Sequence, residues 1–143
     1  MARLTVSVRL DAAPAAVWAD LADIGSHVQW MEDAVAIRFT SHRTEGVGTT
    51  FDCDTRVGPF RLTDRMEITR WDPGRAMGVR HTGLVTGVGE FRLSARRQGR
   101  TRFVWKERLS FPWWLGGPIG AWLSVPVLHH VWRRSMRNLQ QRF

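Results

Sequence analysis

The sequence predicts an α+β fold in which a curved antiparallel sheet wraps a long C-terminal helix. Three observations predict it. Apolar and polar residues alternate with period two through most of residues 34–111, as in half-buried strands. Short turns rich in Gly and Pro interrupt that alternation, which suits antiparallel neighbours. The C-terminal segment instead repeats apolar residues at steps of three and four, which marks one face of a helix.

The elements follow in order. Leu4, Val6, Val8 and Leu10 alternate with Arg3, Thr5, Ser7 and Arg9, giving a first strand. Asp11 is placed to cap a helix with Pro14 in its first turn; Val17, Trp18, Leu21 and Ile24 supply its apolar side and Gly25 stops it. Ser26 opens a second short helix through Val28, Trp30 and Met31. Val35, Ile37 and Phe39 alternate, then Phe51, Cys53, Thr55 and Val57. The turn Val57-Gly58-Pro59-Phe60 leads into a strand with Phe60, Leu62, Asp64, Met66 and Ile68 on one face. After Trp71-Asp72-Pro73-Gly74 come Met77, Val79 and His81, then a loop, then Phe91, Leu93 and Ala95. The last strand carries Phe103, Trp105, Glu107, Leu109 and Phe111 on one face. Trp122, Val125, His129, Trp132, Met136, Leu139 and Phe143 form the helical stripe that covers the sheet; Pro118 opens this helix and Pro126 interrupts it. The expected order is strand, two short helices, six strands and a long helix.

The length of 143 residues suits a single domain over residues 1–143, and a hydrophobic fraction of 43% supplies a core. The lone cysteine, Cys53, cannot form an internal disulfide, and no Cys/His spacing fits a metal site. The N-terminal residues alternate in polarity and lack the apolar run of a signal peptide, so a cytoplasmic protein is expected. The net charge is +8, yet the arginines are scattered through the strands and gather only near the C-terminus. No nucleic-acid motif accompanies them, and nucleic acid is not an expected partner. The stretch 109–132 carries no Asp, Glu, Lys or Arg. It is long enough to span a bilayer, but its prolines, glycines and histidines and its role as sheet cover argue against that.

Several local patterns carry a resemblance. They are Asp11-Ala12-Ala13-Pro14-Ala15-Ala16-Val17-Trp18 at the first strand-to-helix passage, Trp30-Met31 closing the second helix and Gly46-Val47-Gly48-Thr49 entering the third strand. Trp71-Asp72-Pro73-Gly74-Arg75-Ala76-Met77 and Gly99-Arg100-Thr101-Arg102-Phe103-Val104-Trp105 complete the series. In order and spacing they resemble the START/Bet v1-like (SRPBCC) superfamily, in particular its polyketide cyclase/dehydrase-like branch. The resemblance implies the helix-grip fold: a seven-stranded antiparallel curved sheet around a long C-terminal helix, with two short helices after the first strand. It also implies a cavity between sheet and helix. The superfamily includes lipid and hormone binders, aromatic cyclases and transport proteins, so the fold leaves the occupant open.

By strand parity, Asp64, His81 and Glu107 interrupt the inward apolar face of the sheet, and His129 joins them from the helix. Glu107, between Trp105 and Leu109, is a carboxylate on an apolar face. Burial there raises its pKa and suits acid–base work, whereas a salt bridge to an arginine makes it structural. His129 reads as a second acid–base candidate or as a core histidine bonded to a carbonyl. The apolar ligand contacts expected from this parity are Trp30, Phe39, Phe51, Met66, Met77 and Phe91, with Trp105, Trp122 and Val125. The leading functional expectation is binding of a small hydrophobic or aromatic, lipid- or polyketide-like molecule, by a monomer or homodimer, with no cofactor and no metal. The alternative is a cofactor-independent polyketide cyclase or dehydratase using Glu107 or His129. A third reading is a peripheral membrane or protein-interaction module built on Trp113 and Trp114 in their Gly/Pro loop.

Overall fold

The computed structural model describes all residues, 1–143. Its strands are β1 (Ala2–Leu10), β2 (Ala34–Phe39), β3 (Thr50–Val57), β4 (Phe60–Asp72), β5 (Ala76–Thr82), β6 (Thr86–Arg96) and β7 (Arg100–Ser110). They form one antiparallel sheet in the order β1-β7-β6-β5-β4-β3-β2. Strands β2 to β7 are consecutive neighbours because each is joined to the next by a short connection, and β1 closes on β7. Helix α1 spans Pro14–Ala22, a 3-10 helix follows over Ile24–Gln29, and α2 runs Gly117–Gln140. This is the helix-grip arrangement expected from the sequence.

The alternation in sequence becomes alternation in burial. β7 shows it most plainly: Thr101, Phe103, Trp105, Glu107 and Leu109 are buried, while Arg102, Lys106 and Arg108 face solvent. The outer face is held by ion pairs, among them Arg38 with Asp54 at 2.6 Å and Arg65 with Asp52 at 3.9 Å. The inner face joins α1 and α2 in one hydrophobic core. Cys53 belongs to it, and burial pushes its thiol up to about 12.

Two local expectations change. Asp11 does not cap α1; Ala13 occupies the N-cap position, and Asp11 pairs instead with Arg100 at 3.3 Å. The helix ends at Ala22, and Gly25 lies inside the 3-10 helix rather than at a stop. The short-range turn bonds Ser26 N to Asp23 O and Trp30 N to His27 O favour the tighter coil there.

Helix α2 lies closest to β1 and only lightly touches β7. The middle of the sheet therefore leaves room for a cavity beneath α2. No helix of the structure is long and apolar enough to cross a membrane.

Hydrogen bonds from Trp132, Ser135 and Asn138 fasten α2 to the turn before β2. Ser135, fully buried, accepts from the Glu32 N–H at 2.9 Å and donates to Val131 O at 3.1 Å. Asn138 donates to the Trp30 carbonyl at 3.2 Å, and the Trp132 indole donates to the Asp33 carboxylate at 3.3 Å. These bonds fix the position of residues 30–33 relative to the helix. Ser135→Ala removes the partner of the Glu32 N–H, a part-buried bond, and is expected to cost about 0.5–1.5 kcal/mol. Urea unfolding of the two proteins measures it; equal midpoints would show that the fastening contributes nothing.

Candidate functional site

A cavity of about 560 Å³ lies between the inner face of the sheet and α2. That is within the range of roughly 300–1,000 Å³ common for small-molecule sites. Its walls are mostly apolar: Phe51, Met66, Met77, Phe91 and Trp105 come from the sheet, and Leu123, Val127 and Leu128 from α2. Phe60, Leu84, Trp114, Leu123 and Val127 also line it, yet each is exposed. They form an apolar rim where the β3–β4 turn, the β5–β6 loop and the start of α2 converge.

The wall contains a buried polar chain that crosses four strands. His81 on β5 faces Asp64 on β4 through Nδ1 at 2.9 Å and Glu107 on β7 through Nε2 at 2.7 Å. The Trp105 indole N–H donates to the other Glu107 oxygen at 3.1 Å. With a carboxylate at each ring nitrogen, both nitrogens donate, which is the imidazolium form. Burial alone would lower the His81 pKa. The charge of Glu107 and the hydrogen bonds to Asp64 and Glu107 together outweigh it and raise the value to about 10.

β6 lies between His81 and Glu107, and its glycines make the crossing possible. Gly89 pairs with Glu107 in register, and a Cβ on it would stand 2.5 Å from the Glu107 Oε1. Gly87 pairs with His81, at φ 144°, with the Arg108 carbonyl oxygen 1.8 Å from where a Cβ would be. The carboxylate thus lies in a trough of bare backbone.

A second carboxylate borders the cavity. Asp33, in the turn that α2 fastens, is half-buried and accepts from the Trp132 indole at 3.3 Å. Its pKa is raised to about 6, chiefly by burial; the negative charges of Glu107 and Asp64 add to this, against the Trp132 hydrogen bond. Trp132 stacks on Trp105 with ring centres 4.2 Å apart and planes 13° apart. The two stacked indoles therefore each hold one carboxylate, Asp33 on one side and Glu107 on the other. His27, also in the wall, is fully buried and bonds through Nε2 to the Leu21 carbonyl at 2.8 Å; burial lowers its pKa to about 4, so it is neutral. No group of three or more His, Cys, Asp or Glu side chains is arranged to hold a metal ion.

The sequence matches the family described as "Polyketide cyclase / dehydrase and lipid transport" over residues 1–143. The chain belongs to that family. No curated protein sequence matches it. Among solved structures, TTHA0849 from Thermus thermophilus is similar with a TM-score of 0.80 at 14% identity, over 98% of this chain and 95% of that one. The Zhui aromatase/cyclase from Streptomyces sp. R1128 gives 0.74 at 17%, over 98% and 92%. A START superfamily protein from Mycobacterium smegmatis gives 0.74 at 10%, over 99% of both chains. At these identities the likeness is one of fold.

Within this polyketide cyclase-family cavity, the structure brings together Phe51, Asp64, Met66, Met77, His81, Phe91, Trp105 and Glu107 from the residues singled out in the sequence. Five lie elsewhere. Trp30 is buried behind the wall against Phe91, Phe103 and Trp105. Phe39 packs on Phe51 at the sheet edge. Trp122 is 73% exposed, and Val125 and His129 are half-buried outside the lining. The helix stripe is rotated there: Gly120, Ser124, Leu128 and Trp132 face the cavity. Residues 119–128 are apolar nearly all round, so their periodicity does not select a face.

The sequence reading missed Asp33 and His27. Asp33 sits in a turn, where an acidic residue carries no signal of burial. The partner expected for Glu107 also changes, from arginine to histidine.

The polar chain sets a pH dependence. A His81 pKa raised from 6.5 to about 10 gives stability that is fully present below 6.5 and is lost as pH rises through 10. Cys53 adds to the loss only above its unfolded value of 9.0. Denaturant midpoints are expected to fall between pH 6.5 and 9, and Asp64→Asn, which removes one of the two charges, should complete the fall at lower pH. A flat profile across that window would show that His81 is not held protonated.

Proposed function

We propose that this protein binds a small hydrophobic or aromatic molecule, lipid- or polyketide-like, in the cavity between the sheet and α2. The observation that carries the reading is the cavity of about 560 Å³ with a mostly apolar wall and a few buried polar groups on one side. Burial of an apolar ligand there stabilises the complex by about 25 cal/mol per Å² before the costs of association. The polar groups fix its orientation. The apolar rim is the entrance, and Trp113, 86% exposed beside it, extends a surface for peripheral contact with a membrane that supplies such a ligand. Membership of this family and the likeness to an aromatase/cyclase and a START superfamily protein support the same class of occupant.

Trp105 and Trp132 line the cavity, so a bound aromatic ligand should quench tryptophan fluorescence and raise the melting temperature. Titration with a panel of fatty acids, sterols and aromatic polyketides tests this. Saturable quenching with a matching thermal shift is the expected result, and a panel in which no compound moves either signal would defeat the reading.

A second reading is acid–base catalysis on a polyketide-like chain held in the same cavity. It is favoured by two carboxylates of different character at the wall: Asp33, poised near neutrality, and Glu107, coupled to a protonated His81. His129 lies outside the lining, so those two would carry the proton transfers without a cofactor. The check is turnover of a linear poly-β-keto thioester analogue. Asp33→Asn and Glu107→Gln should each lower kcat by about 10²-fold or more, and unchanged rates in both would remove this reading.

A further inference from the structure

The charge inside the cavity is opposite to the charge of the protein. The chain carries 21 Lys and Arg against 13 Asp and Glu. Of the basic side chains, Arg61 alone lines the cavity, and it is exposed at the rim. Asp33, Asp64, Glu90 and Glu107 all line it. Glu90 is matched from outside by Arg70 and Arg92. The interior set is therefore Asp33, Asp64 and Glu107 against His81, a net negative site. His27 is neutral and adds no positive charge.

The hydrogen-bond partners point the same way. Both His81 nitrogens are committed to carboxylates, so the one buried cation has no donor left for an anionic guest. Asp64 is 9% exposed, and its second oxygen, Oδ1, is buried with no partner. An ionised carboxylate only accepts. What this wall lacks is donors and positive charge. An ammonium group supplies three donors and one positive charge, whereas a carboxylate or phosphate supplies neither. Trp105 and Trp132 line the cavity on the same side, where the Trp132 N–H meets Asp33.

We propose that the cavity selects hydrophobic molecules bearing a cationic amine, seats the ammonium at the Asp33–Asp64 side against the Trp105–Trp132 pair, and discriminates against carboxylates and phosphates. This rests on the reading that the cavity binds a small hydrophobic molecule and specifies the polar end of that molecule.

The test uses three probes of equal chain length, dodecylamine, dodecanol and dodecanoate, each kept below its solubility or micelle limit at pH 7.5. Tryptophan quenching and thermal shift read the binding. Adsorption to a protein of net charge +8 would favour dodecanoate, so a preference for the amine reports the interior and not the surface. The expected result is dodecylamine binding at least about tenfold tighter than dodecanoate, with dodecanol between. In Asp33→Asn the amine preference should shrink severalfold while dodecanol still binds, which separates loss of charge from loss of fold. Dodecanoate binding as tightly as dodecylamine, or an unchanged preference in Asp33→Asn, would overturn the inference while leaving cavity binding intact. Failure of all three probes to bind would overturn both.

Discussion

The structure depends on a buried charge chain, Asp64–His81–Glu107, that spans four strands of the sheet. Ions buried in an apolar wall are tolerated only when paired and hydrogen-bonded, and removing one partner of such a pair typically costs about 3–5 kcal/mol. Here each partner sits on a different strand. The pairing is therefore met only when β4, β5 and β7 hold their native register. Gly89 is part of the same arrangement, because a side chain there would meet the Glu107 carboxylate, and Gly87 lets the β6 backbone lie close against the Arg108 carbonyl. One interaction thus constrains both the sheet and the site.

The tryptophans link this chain to the helix. Trp105 belongs to the sheet and Trp132 to α2, and the stacked pair forms part of the cavity wall. An offset or stacked aromatic pair contributes about 0.5–1.5 kcal/mol beyond its buried area. Each indole also holds a carboxylate by its N–H. The helix position is then coupled to the electrostatics of the wall: a shift of α2 changes the contact between Trp132 and Asp33 as well as the packing. Ser135 and Asn138, further along the same helix, hold the turn that carries Asp33. The site is hydrogen-bonded to α2 on this side, and its rim side chains Phe60, Leu84 and Trp114 are exposed.

That arrangement suits a molecule with a polar head and an apolar body. It also accounts for the separation of charge in the protein. Arginines cover the outer face of the sheet and the end of α2, while Asp33, Asp64 and Glu107, which no arginine matches, lie inside. Family membership defines the frame in which such a cavity occurs, and the chemistry of the wall defines what this chain can take.

The sequence by itself determined the fold. Period-two alternation placed Asp64, His81 and Glu107 on the inner face because side chains on a strand have only two directions to take. It could not show that the three meet, since they are 17 and 26 residues apart around His81 and touch only through strand order and two glycines. It could not orient residues 119–128 of α2, where apolar side chains surround the helix, so periodicity puts Trp122 and His129 on the wrong side. Asp33 was invisible because its burial comes from a helix a hundred residues later in the chain folding over its turn. Local pattern is a property of neighbours in sequence; burial, charge and pKa at this site belong to neighbours in space, and only the tertiary structure decided them.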